Sequence, residues 1–224
     1  MFPDLKSSDL SFPDLTRDDV FRIETKRLWL RWPRVQDAVA IVRLAGDKDV
    51  ADMVGILPHP FPNDQGEAFV FEARKANAVG SQIKFAITDR RRPDLFMGIA
   101  GSRILNVENK GRLRASFGYW LGKPYWGQGY ATEAAHGLID TIFAYTDVTE
   151  LESSIRVINP ASRRVAEKCG FQFIGSDMWD APALKSRVAV DRFLLSRSTW
   201  ASLKGWREPN VRPVMPGNQL EVCA

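Results

Sequence analysis

The residues with the clearest chemical potential form a glycine-bearing loop in the second half of the chain. A predicted strand ends at Leu121, and a loop then leads into a helix that begins near Ala131. Gly127 and Gly129 have no Cβ, so the backbone there can approach a ligand closely. The first N–H groups of a helix have no partner inside it, and with the helix dipole they attract anions. This arrangement predicts a site for a pyrophosphate.

Two common phosphate-binding loops do not match this segment. A P-loop has Gly-Lys-Ser/Thr at the helix start, whereas this chain has Gly129-Tyr130-Ala131. A dinucleotide-binding fingerprint has three glycines and lies early in a βαβ unit, whereas this loop has no third glycine and follows several strands. The loop is therefore expected either to bind the phosphates of another carrier or to be only a structural turn.

Alternating strand and helix patterns must position this loop. Strands are predicted where apolar residues alternate or form short runs between turn residues. Seven segments fit: 27–32, 83–88, 95–104, 114–121, 151–158, 171–176 and 187–195. Helical spacing predicts helices over 35–44, 65–78, 131–143 and 160–169. The last helix has Asn159 as its N-cap, proline at its first position and Gly170 beyond its end.

These elements predict a single α/β domain, an α+β sandwich in which helices cover both faces of a mixed sheet of about seven strands. The chain of 224 residues is long enough to bury a full core and to carry extensions. Residues 21–199 are predicted to form the domain. Residues 1–20 are predicted to be an N-terminal extension, and residues 200–224, which are rich in proline and polar side chains, a C-terminal one.

Composition argues against several classes of protein. Cys169 and Cys223 are too few for a disulfide framework or a cysteine zinc site, and the two histidines cannot hold a metal without carboxylates. A net charge of +4 suits an anionic ligand but falls short of a nucleic-acid-binding signature. No apolar run approaches the roughly 20 residues of a membrane helix, and the N-terminus lacks signal-peptide features. We expect a cytoplasmic protein without metal, nucleic-acid or membrane partners.

The segment YWGQGYATEA resembles the acetyl-coenzyme A loop of the GNAT superfamily of acetyltransferases. The family pattern Gln/Arg-x-x-Gly-x-Gly/Ala maps to Trp126, Gly129 and Ala131, and Trp126 departs from it. An aromatic residue there resembles the branch that acetylates the N-termini of ribosomal proteins. Four further segments resemble that family in order: IETKRLWLR, PHPFPNDQGEAFV, RASFGYWL and NPASRRVAEKCGF. The resemblance covers roughly residues 22–196 and implies a GNAT-like, mostly antiparallel sheet.

The resemblance also implies how acetyl-coenzyme A would bind as the cosubstrate. The backbone at Tyr119, Trp120 and Leu121 would pair with the pantetheine amides as an added strand does. The pyrophosphate would be held by the backbone N–H groups of the loop and the helix start. These residues are Gly127, Gln128, Gly129, Tyr130, Ala131 and Thr132.

A second set of implied contacts lies on the helix that Asn159 caps. Asn159 would bond the pantetheine arm, although it is a good N-cap whatever the ligand. Ser162 lies one helical turn on and would either face the thioester sulfur or remain on the helix surface. Arg163, Arg164 or Lys168 would approach the adenosine phosphates or stay solvated.

The proton-handling residues common in the family are missing. Ser116 stands where related sequences have a carboxylate on the fourth strand, and a serine is no base at neutral pH. Ala166 stands where many members have a tyrosine that protonates the leaving thiolate. Glu24, Asp37 and Glu152 remain candidates for a carboxylate supplied from elsewhere in the chain.

The missing base bears on which amine could be the acceptor. A lysine amine with a pKa of about 10.4 costs roughly 4–5 kcal/mol to hold neutral at pH 7, whereas an α-amine near 7.7–8.0 costs only about 1 kcal/mol. General-base help is worth a factor of about 10²–10⁴. The sequence therefore favours a protein N-terminal α-amine, with a small-molecule amine as the alternative.

Aromatic and histidine side chains are the candidates for the acceptor wall. They are Trp32, His59, Phe61 and Trp179. His59 is also a candidate base, because its reference pKa is near 6.5. Two other functions stay open: a coenzyme A-binding module without catalysis, which Ser116 and Ala166 motivate, and a nucleotide-binding α/β protein. Either a monomer or a homodimer is compatible with the sequence.

Overall fold

The computed structural model describes residues 11–108, 112–204 and 212–214, which contain one nine-stranded sheet. The strands are β1 (Arg22–Glu24), β2 (Leu28–Arg31), β3 (Gln82–Asp89), β4 (Arg92–Glu108), β5 (Arg112–Leu121), β6 (Glu150–Arg156), β7 (Gln172–Ala181), β8 (Ser186–Ser196) and β9 (Arg212–Val214). Their order is β7-β8-β6-β5-β4-β3-β2-β1-β9, and only β5 and β6 pair in parallel. The predicted mixed, mostly antiparallel α+β fold is confirmed, with two short strands, β1 and β9, added to the seven expected.

Helices cover both faces of this sheet. They are α1 (Ala38–Ala45), α2 (Lys48–Val54), α3 (Gln65–Ala78), α4 (Tyr130–Tyr145), α5 (Pro160–Lys168) and α6 (Arg197–Lys204). Four match the predicted helices, and a 3₁₀ turn over residues 35–37 precedes α1. The sequence reading missed α2 and α6, although α2 has a capping aspartate, Asp47, and a left-handed glycine, Gly55, at its end.

Each face of the sheet has its own apolar core. On one face, α4 and α5 pack against the central strands through residues such as Leu138, Ile142 and Phe117. On the other face, α1, α2 and α3 pack against Ile99 and Trp120. Burial of these side chains is the main favourable term in folding. The central strands are therefore held rigidly between two helical layers.

The described parts of both predicted extensions pack against the domain. Phe12 is fully buried in the core, and its backbone N–H donates to Gly80 O at 2.8 Å. Trp200, in α6, stacks 5.2 Å from the ring of Phe143 and donates from Nε1 to Asp140 at 2.6 Å. Strand β9 pairs with β1. The domain boundaries at residues 20 and 200 stay predictions.

The central strands separate at one end, and this separation creates the site. The parallel pairing of β5 with β6 covers only Arg114 to Ser116 against Glu150 to Glu152. Beyond those residues, β5 continues along β4 alone and β6 along β8 alone. At the closed end, Arg114 bridges the two strands through an ion pair with Glu150 at 2.8 Å. The strands thus open into a V whose mouth lies beyond Ser116.

Candidate active site

A cavity of about 1070 Å³ fills the V between β5 and β6. It runs from the loop before α4, past the start of α5, to α2 and α3 on the opposite face of the sheet. The separated strands let a ligand pass from one face to the other. The molecule therefore has one continuous channel that can bring two reactants together from opposite sides.

The loop before α4 forms a cradle of backbone donors at one end of this channel. Gly127 and Gly129 have φ values of 73° and 78°, a conformation that strongly favours glycine. A Cβ on Gly127 would meet nothing within 4 Å. Among the described residues, the N–H groups of residues 127–132 find no hydrogen-bond acceptor. Unpaired N–H groups at a helix start suit an anion, so this loop fits a pyrophosphate.

The predicted loop residues differ in what they offer to the cavity. Gly127, Gly129, Tyr130, Ala131 and Thr132 line it. The Gln128 side chain turns away and donates to Pro124 O at 2.9 Å, so only its backbone can serve a ligand. Trp126, which departs from the family pattern, donates from its indole to Leu121 O at 2.7 Å. The indole thereby ties the loop back to the end of β5.

An ion pair that the sequence did not reveal holds the loop in shape. Arg27 donates from Nε to Glu133 Oε2 at 2.6 Å and from Nη1 to Gln128 O at 2.9 Å. Glu133 also accepts a hydrogen bond from Thr25 Oγ1 at 2.6 Å. The Arg27 guanidinium lies 4.4 Å from the centre of the Tyr130 ring. These contacts connect the turn between β1 and β2 to the first turn of α4 and fix the direction of the unpaired N–H groups.

The free edge of β5 forms one side of the channel. Tyr119, Trp120 and Leu121 line it, although the Trp120 side chain is buried against Phe96 at 5.8 Å. Past Ser116, this edge has no strand partner in the described part of the chain. Exposed strand edges pair readily with extended amide-containing ligands. The edge can therefore take a ligand that runs along it as an added strand.

Helix α5 places two of the predicted residues at the opposite side of the channel. Asn159 accepts a hydrogen bond from Ser162 N at 3.0 Å and so caps the helix, and both residues line the cavity. The Tyr119 hydroxyl donates to Ser162 Oγ at 3.2 Å. Burial raises the pKa of Tyr119 to about 12, against the opposing effect of its hydrogen bond to Ser162. Tyr119 therefore stays protonated at neutral pH, and because its hydroxyl donates to Ser162, the Ser162 proton is left to point elsewhere.

Ser116 lines the cavity but its hydroxyl is already engaged. Its oxygen accepts from Arg103 N at 3.1 Å and donates to Arg103 O at 3.3 Å. The hydroxyl thus joins β5 to β4 and carries no basic group. Ala166, at the other expected position for a proton donor, is buried in the core. The structure supplies no proton-handling side chain at either position.

None of the three carboxylates left open by the sequence lines the channel, and each is held in an ion pair. Asp37 is buried and holds both terminal nitrogens of Arg31, at 2.8 and 2.9 Å. Glu24 pairs with Arg22 on the outer strands at 2.9 Å. Glu152 does not line the cavity and is paired with Arg192 at 2.8 Å.

Every charged side chain that lines the channel is basic, within the stretches of chain that the structure describes. They are Lys84, Arg103, Arg156, Arg164 and Lys168. Of the cations proposed for adenosine phosphates, Arg164 and Lys168 reach the channel. Arg163 instead pairs with Glu167 at 3.1 Å and Asp191 at 3.2 Å. The channel as a whole is suited to anionic ligands.

The four residues predicted for the acceptor wall lie in different environments. Of the four candidates only Trp179 lines the channel. Trp32 and Phe61 are buried in the cores, where the Trp32 indole donates to Thr16 O at 3.2 Å. His59 is exposed outside the channel, with Nδ1 2.7 Å from Gly46 O. This end of the channel is lined mainly by apolar residues of α2, the following loop and α3. These are Met53, Val54, Ile56, Leu57 and Phe69.

Residues 11–108, 112–204 and 212–214, the part of the chain that the structure describes, contain neither a metal-binding cluster nor a membrane-spanning helix. No group of three or more histidine, cysteine, aspartate or glutamate side chains is arranged to hold a metal ion. No helix in this part has the length and apolar character needed to cross a membrane.

Comparison with known proteins agrees with this geometry. Residues 27–172 match the family model described as an acetyltransferase (GNAT) domain. The N-acetyltransferase p20 of Bacillus licheniformis, itself uncharacterized, is 27% identical over 172 residues, which are 77% of this chain and 93% of that protein.

Solved structures show the same fold. A putative ribosomal-protein-serine acetyltransferase from Vibrio cholerae is 24% identical with a TM-score of 0.66, covering 80% of this chain and 98% of that one. A spermidine N-acetyltransferase from Vibrio cholerae, solved with CoA and spermine, is 18% identical with a TM-score of 0.63, covering 78% and 98%. At this identity these likenesses establish the fold and leave the acceptor open. From the family match over most of its length, the chain belongs to the GNAT family, as an acetyl-CoA-dependent N-acetyltransferase.

Proposed function

We propose that this chain transfers an acetyl group from acetyl-CoA to an α-amine, or to another primary amine of similarly low pKa. The observation that carries the proposal is the alignment of three features along one channel. These are the unpaired N–H groups of residues 127–132, the free edge of β5 and the hydroxyl of Ser162. A diphosphate, an amide-containing arm and a thioester follow one another in acetyl-CoA in the same order.

Each part of the channel would hold one part of the cosubstrate. The N–H groups of residues 127–132 bind the diphosphate, and the backbone at residues 119–121 pairs with the pantetheine amides. Asn159 contributes its side-chain amide to the same arm. Arg164 and Lys168, which line the same channel, would bind the remaining phosphate. Acetyl-CoA supplies the activated acetyl thioester, and the protein supplies position and electrostatics.

The transfer itself joins the amine nitrogen to the acetyl carbon and breaks the carbon–sulfur bond. Backbone N–H groups at the edge of β5 polarise the thioester carbonyl. Ser162 donates its hydroxyl proton in a hydrogen bond to the departing sulfur, because its oxygen already accepts from Tyr119. The proton released by the amine passes to water, since no described carboxylate lines the channel. Thus Ser162 is the catalytic residue and Tyr119 positions it.

The absence of a lining carboxylate in the described chain favours an amine that is partly neutral without help. An α-amine of pKa near 7.7–8.0 meets this condition at an energetic cost of about 1 kcal/mol at pH 7, against roughly 4–5 kcal/mol for lysine. A protein or peptide N-terminus is the first candidate. A small molecule with an amine of similar pKa is the second, and the apolar wall of Ile56 and Leu57 suits either.

Release of free thiol from acetyl-CoA, measured with a panel of acceptors at pH 7, tests the proposal. The panel contains peptides with free and blocked N-termini, lysine with a blocked α-amine, and spermidine. We expect peptides with free N-termini to give the highest kcat/KM. A better rate with blocked lysine or spermidine would overturn the acceptor assignment. Tight acetyl-CoA binding without turnover on any acceptor would point to a non-catalytic module.

A further inference from the structure

The acceptor half of the channel has a charge pattern that the transfer chemistry does not require. Three basic side chains, Lys84, Arg103 and Arg156, line this half, together with apolar residues such as Ile56 and Trp179. Cations near the reacting amine would hinder the binding of a positively charged acceptor. Their presence calls for a counter-charge that the described residues of the channel do not supply.

Sheet register places these cations on the face where the acceptor must enter. Lys84 lies opposite Gly101, which lies opposite Gly118, and Arg103 lies opposite Ser116. Directly opposed residues share a face of the sheet. Trp120, two residues beyond Gly118, packs with α1, α2 and α3, so this is the face those helices cover. Tyr119 and Ser162 approach from the other face.

The spacing between strands gives the distance from these cations to the reacting centre. Neighbouring strands are about 4.8 Å apart, so the Lys84 backbone is roughly 10 Å from β5 and that of Arg103 roughly 5 Å. Long basic side chains can span much of that interval. An anionic group held between Lys84 and Arg103 would therefore be a few covalent bonds away from the amine of the same acceptor when that amine lies at the free edge of β5.

No salt bridge neutralises Lys84 or Arg103 within the described chain, although the Lys84 ammonium lies 5.7 Å from the centre of the Phe69 ring. Neither side chain forms an ion pair with any described residue. Burial lowers the pKa of Lys84, the Arg103 charge lowers it further, and Glu72 opposes both effects. The buried amide of Asn77 clamps the Lys84 backbone through hydrogen bonds of 2.8 and 2.9 Å. A partly buried pair of like charges is unfavourable unless an anion joins it.

Arg156 adds a third positive charge across the V. One terminal nitrogen donates to Asp52 O, and its buried Nε has no acceptor in the described chain. The nearest acidic residue on β6 itself is Glu152, which is already held by Arg114 and Arg192. Both sides of the acceptor half thus present positive charge, and the nearest carboxylate of β6 is committed elsewhere.

We propose that the acceptor is an amine bearing an anionic group, a carboxylate or a phosphate, bound by Lys84 and Arg103. This inference rests on the proposed function and narrows its acceptor. The anionic group is either an acidic side chain next to a peptide N-terminus or the acid group of a small amine. Polyamines are disfavoured, because their second ammonium would meet the same cations.

Matched acceptors test the charge preference directly. The peptide pair is glycyl-glutamic acid amide against glycyl-glutamine amide, and the small-molecule pair is 2-aminoethyl phosphate against ethanolamine. Rates are divided by the neutral fraction of each amine. We expect the anionic member of one pair to have a kcat/KM about tenfold higher, which corresponds to a moderately screened ion pair. The pair that shows the preference identifies the source of the anion. Equal values in both pairs, or preference for the neutral members, would overturn the inference.

Variants that each remove one positive charge identify the residues responsible for the preference for anionic acceptors. Arg103→Gln and Lys84→Met should each lower the anionic-to-neutral ratio of kcat/KM about tenfold. Arg43→Gln and Lys75→Met remove exposed cations outside the channel and should leave the ratio unchanged. An unchanged ratio in both channel variants would contradict the assignment of the anion to Lys84 and Arg103.

A binding measurement separates this inference from the proposed function. The peptide pair is titrated into the wild-type protein saturated with CoA, and into Arg103→Gln. Tighter binding of the acidic peptide, lost in Arg103→Gln, supports the anion site even if no acetyl transfer occurs. Equal affinity for the two peptides overturns it even if transfer is efficient.

Discussion

The hydroxyl of Tyr119 on β5 donates to Ser162 Oγ on α5 at 3.2 Å, so one hydrogen bond spans the channel where the two elements approach. Because burial raises the pKa of Tyr119 to about 12, this hydroxyl keeps its proton at neutral pH. The oxygen of Ser162 is thereby used as an acceptor, and its proton is free for a ligand.

Tyr119→Phe tests this positioning role. Without the Tyr119 hydroxyl, the Ser162 hydroxyl is free to rotate. We therefore expect kcat to fall about two- to tenfold, which corresponds to the net free energy of one hydrogen bond. The KM for acetyl-CoA should change little. In a Ser162→Ala background, Tyr119→Phe should cause no further loss, as a double-mutant cycle measures. Tyr145→Phe, on the exposed end of α4, serves as the control. Additive losses in the double variant would show that Tyr119 does not act through Ser162.

The same tyrosine gives a prediction for stability at high pH. Its pKa is about 10 when unfolded and about 12 when folded, so the unfolded chain loses this proton first as the pH rises. The free energy of unfolding should therefore fall between about pH 10 and 12, by up to about 3 kcal/mol from this group. Denaturant titrations of the wild type and of Tyr119→Phe at pH 9 and 11 measure the difference. An equal decrease in the free energy of unfolding of both proteins would show that Tyr119 is not the cause.

Gly118→Val tests whether the acceptor reaches β5 on the face of α1 to α3. A Cβ at Gly118 meets nothing within 4 Å, so valine fits the folded strand and projects into the channel. We expect kcat/KM for the amine to drop at least about tenfold, while the affinity for acetyl-CoA stays within about threefold of wild type. Kinetics with the best acceptor, together with calorimetry for acetyl-CoA, give both values. Loss of acetyl-CoA affinity with unchanged use of the amine would place the acceptor elsewhere.

Arg27→Met tests the ion pair that holds the cradle. The variant breaks the contacts to Glu133 and to Gln128 O, so the N–H groups of residues 127–132 lose their fixed direction. We expect acetyl-CoA to bind about three- to thirtyfold more weakly, the effect of a partly exposed charge-assisted contact. Arg91→Met removes an exposed arginine outside the channel and is the matched control. Equal affinities for both variants would deny Arg27 this role.

Local sequence patterns predicted most of the fold because they reflect interactions between residues that are close together in the chain. The α5 signals, Asn159 as cap and Gly170 at φ 90°, and the period of α4 each involve neighbouring residues. The Arg27–Glu133 ion pair joins residues 106 positions apart, and no local pattern announces it. The short helix α2 was not predicted from the sequence despite Asp47 and Gly55, so its channel-lining residues Met53 and Val54 were missed.

Two aromatic residues predicted for the acceptor wall, Trp32 and Phe61, lie outside the channel for a related reason. Trp32 and Phe61 have the chemical type of a binding wall, but large apolar groups gain more by burial in the two cores. Trp179 remains in the channel, on β7. The basic lining of the acceptor half depends on the register of β3, β4 and β5, which the sequence alone does not specify.

Calorimetric titration with acetyl-CoA and with S-acetylpantetheine, which lacks the diphosphate, tests the central claim most directly. If the N–H groups of residues 127–132 grip a diphosphate, acetyl-CoA should bind at least about a hundredfold more tightly, since hydrogen bonds to a charged group contribute about 1.5–3 kcal/mol each. Equal affinities, or no detectable binding of acetyl-CoA, would contradict the account.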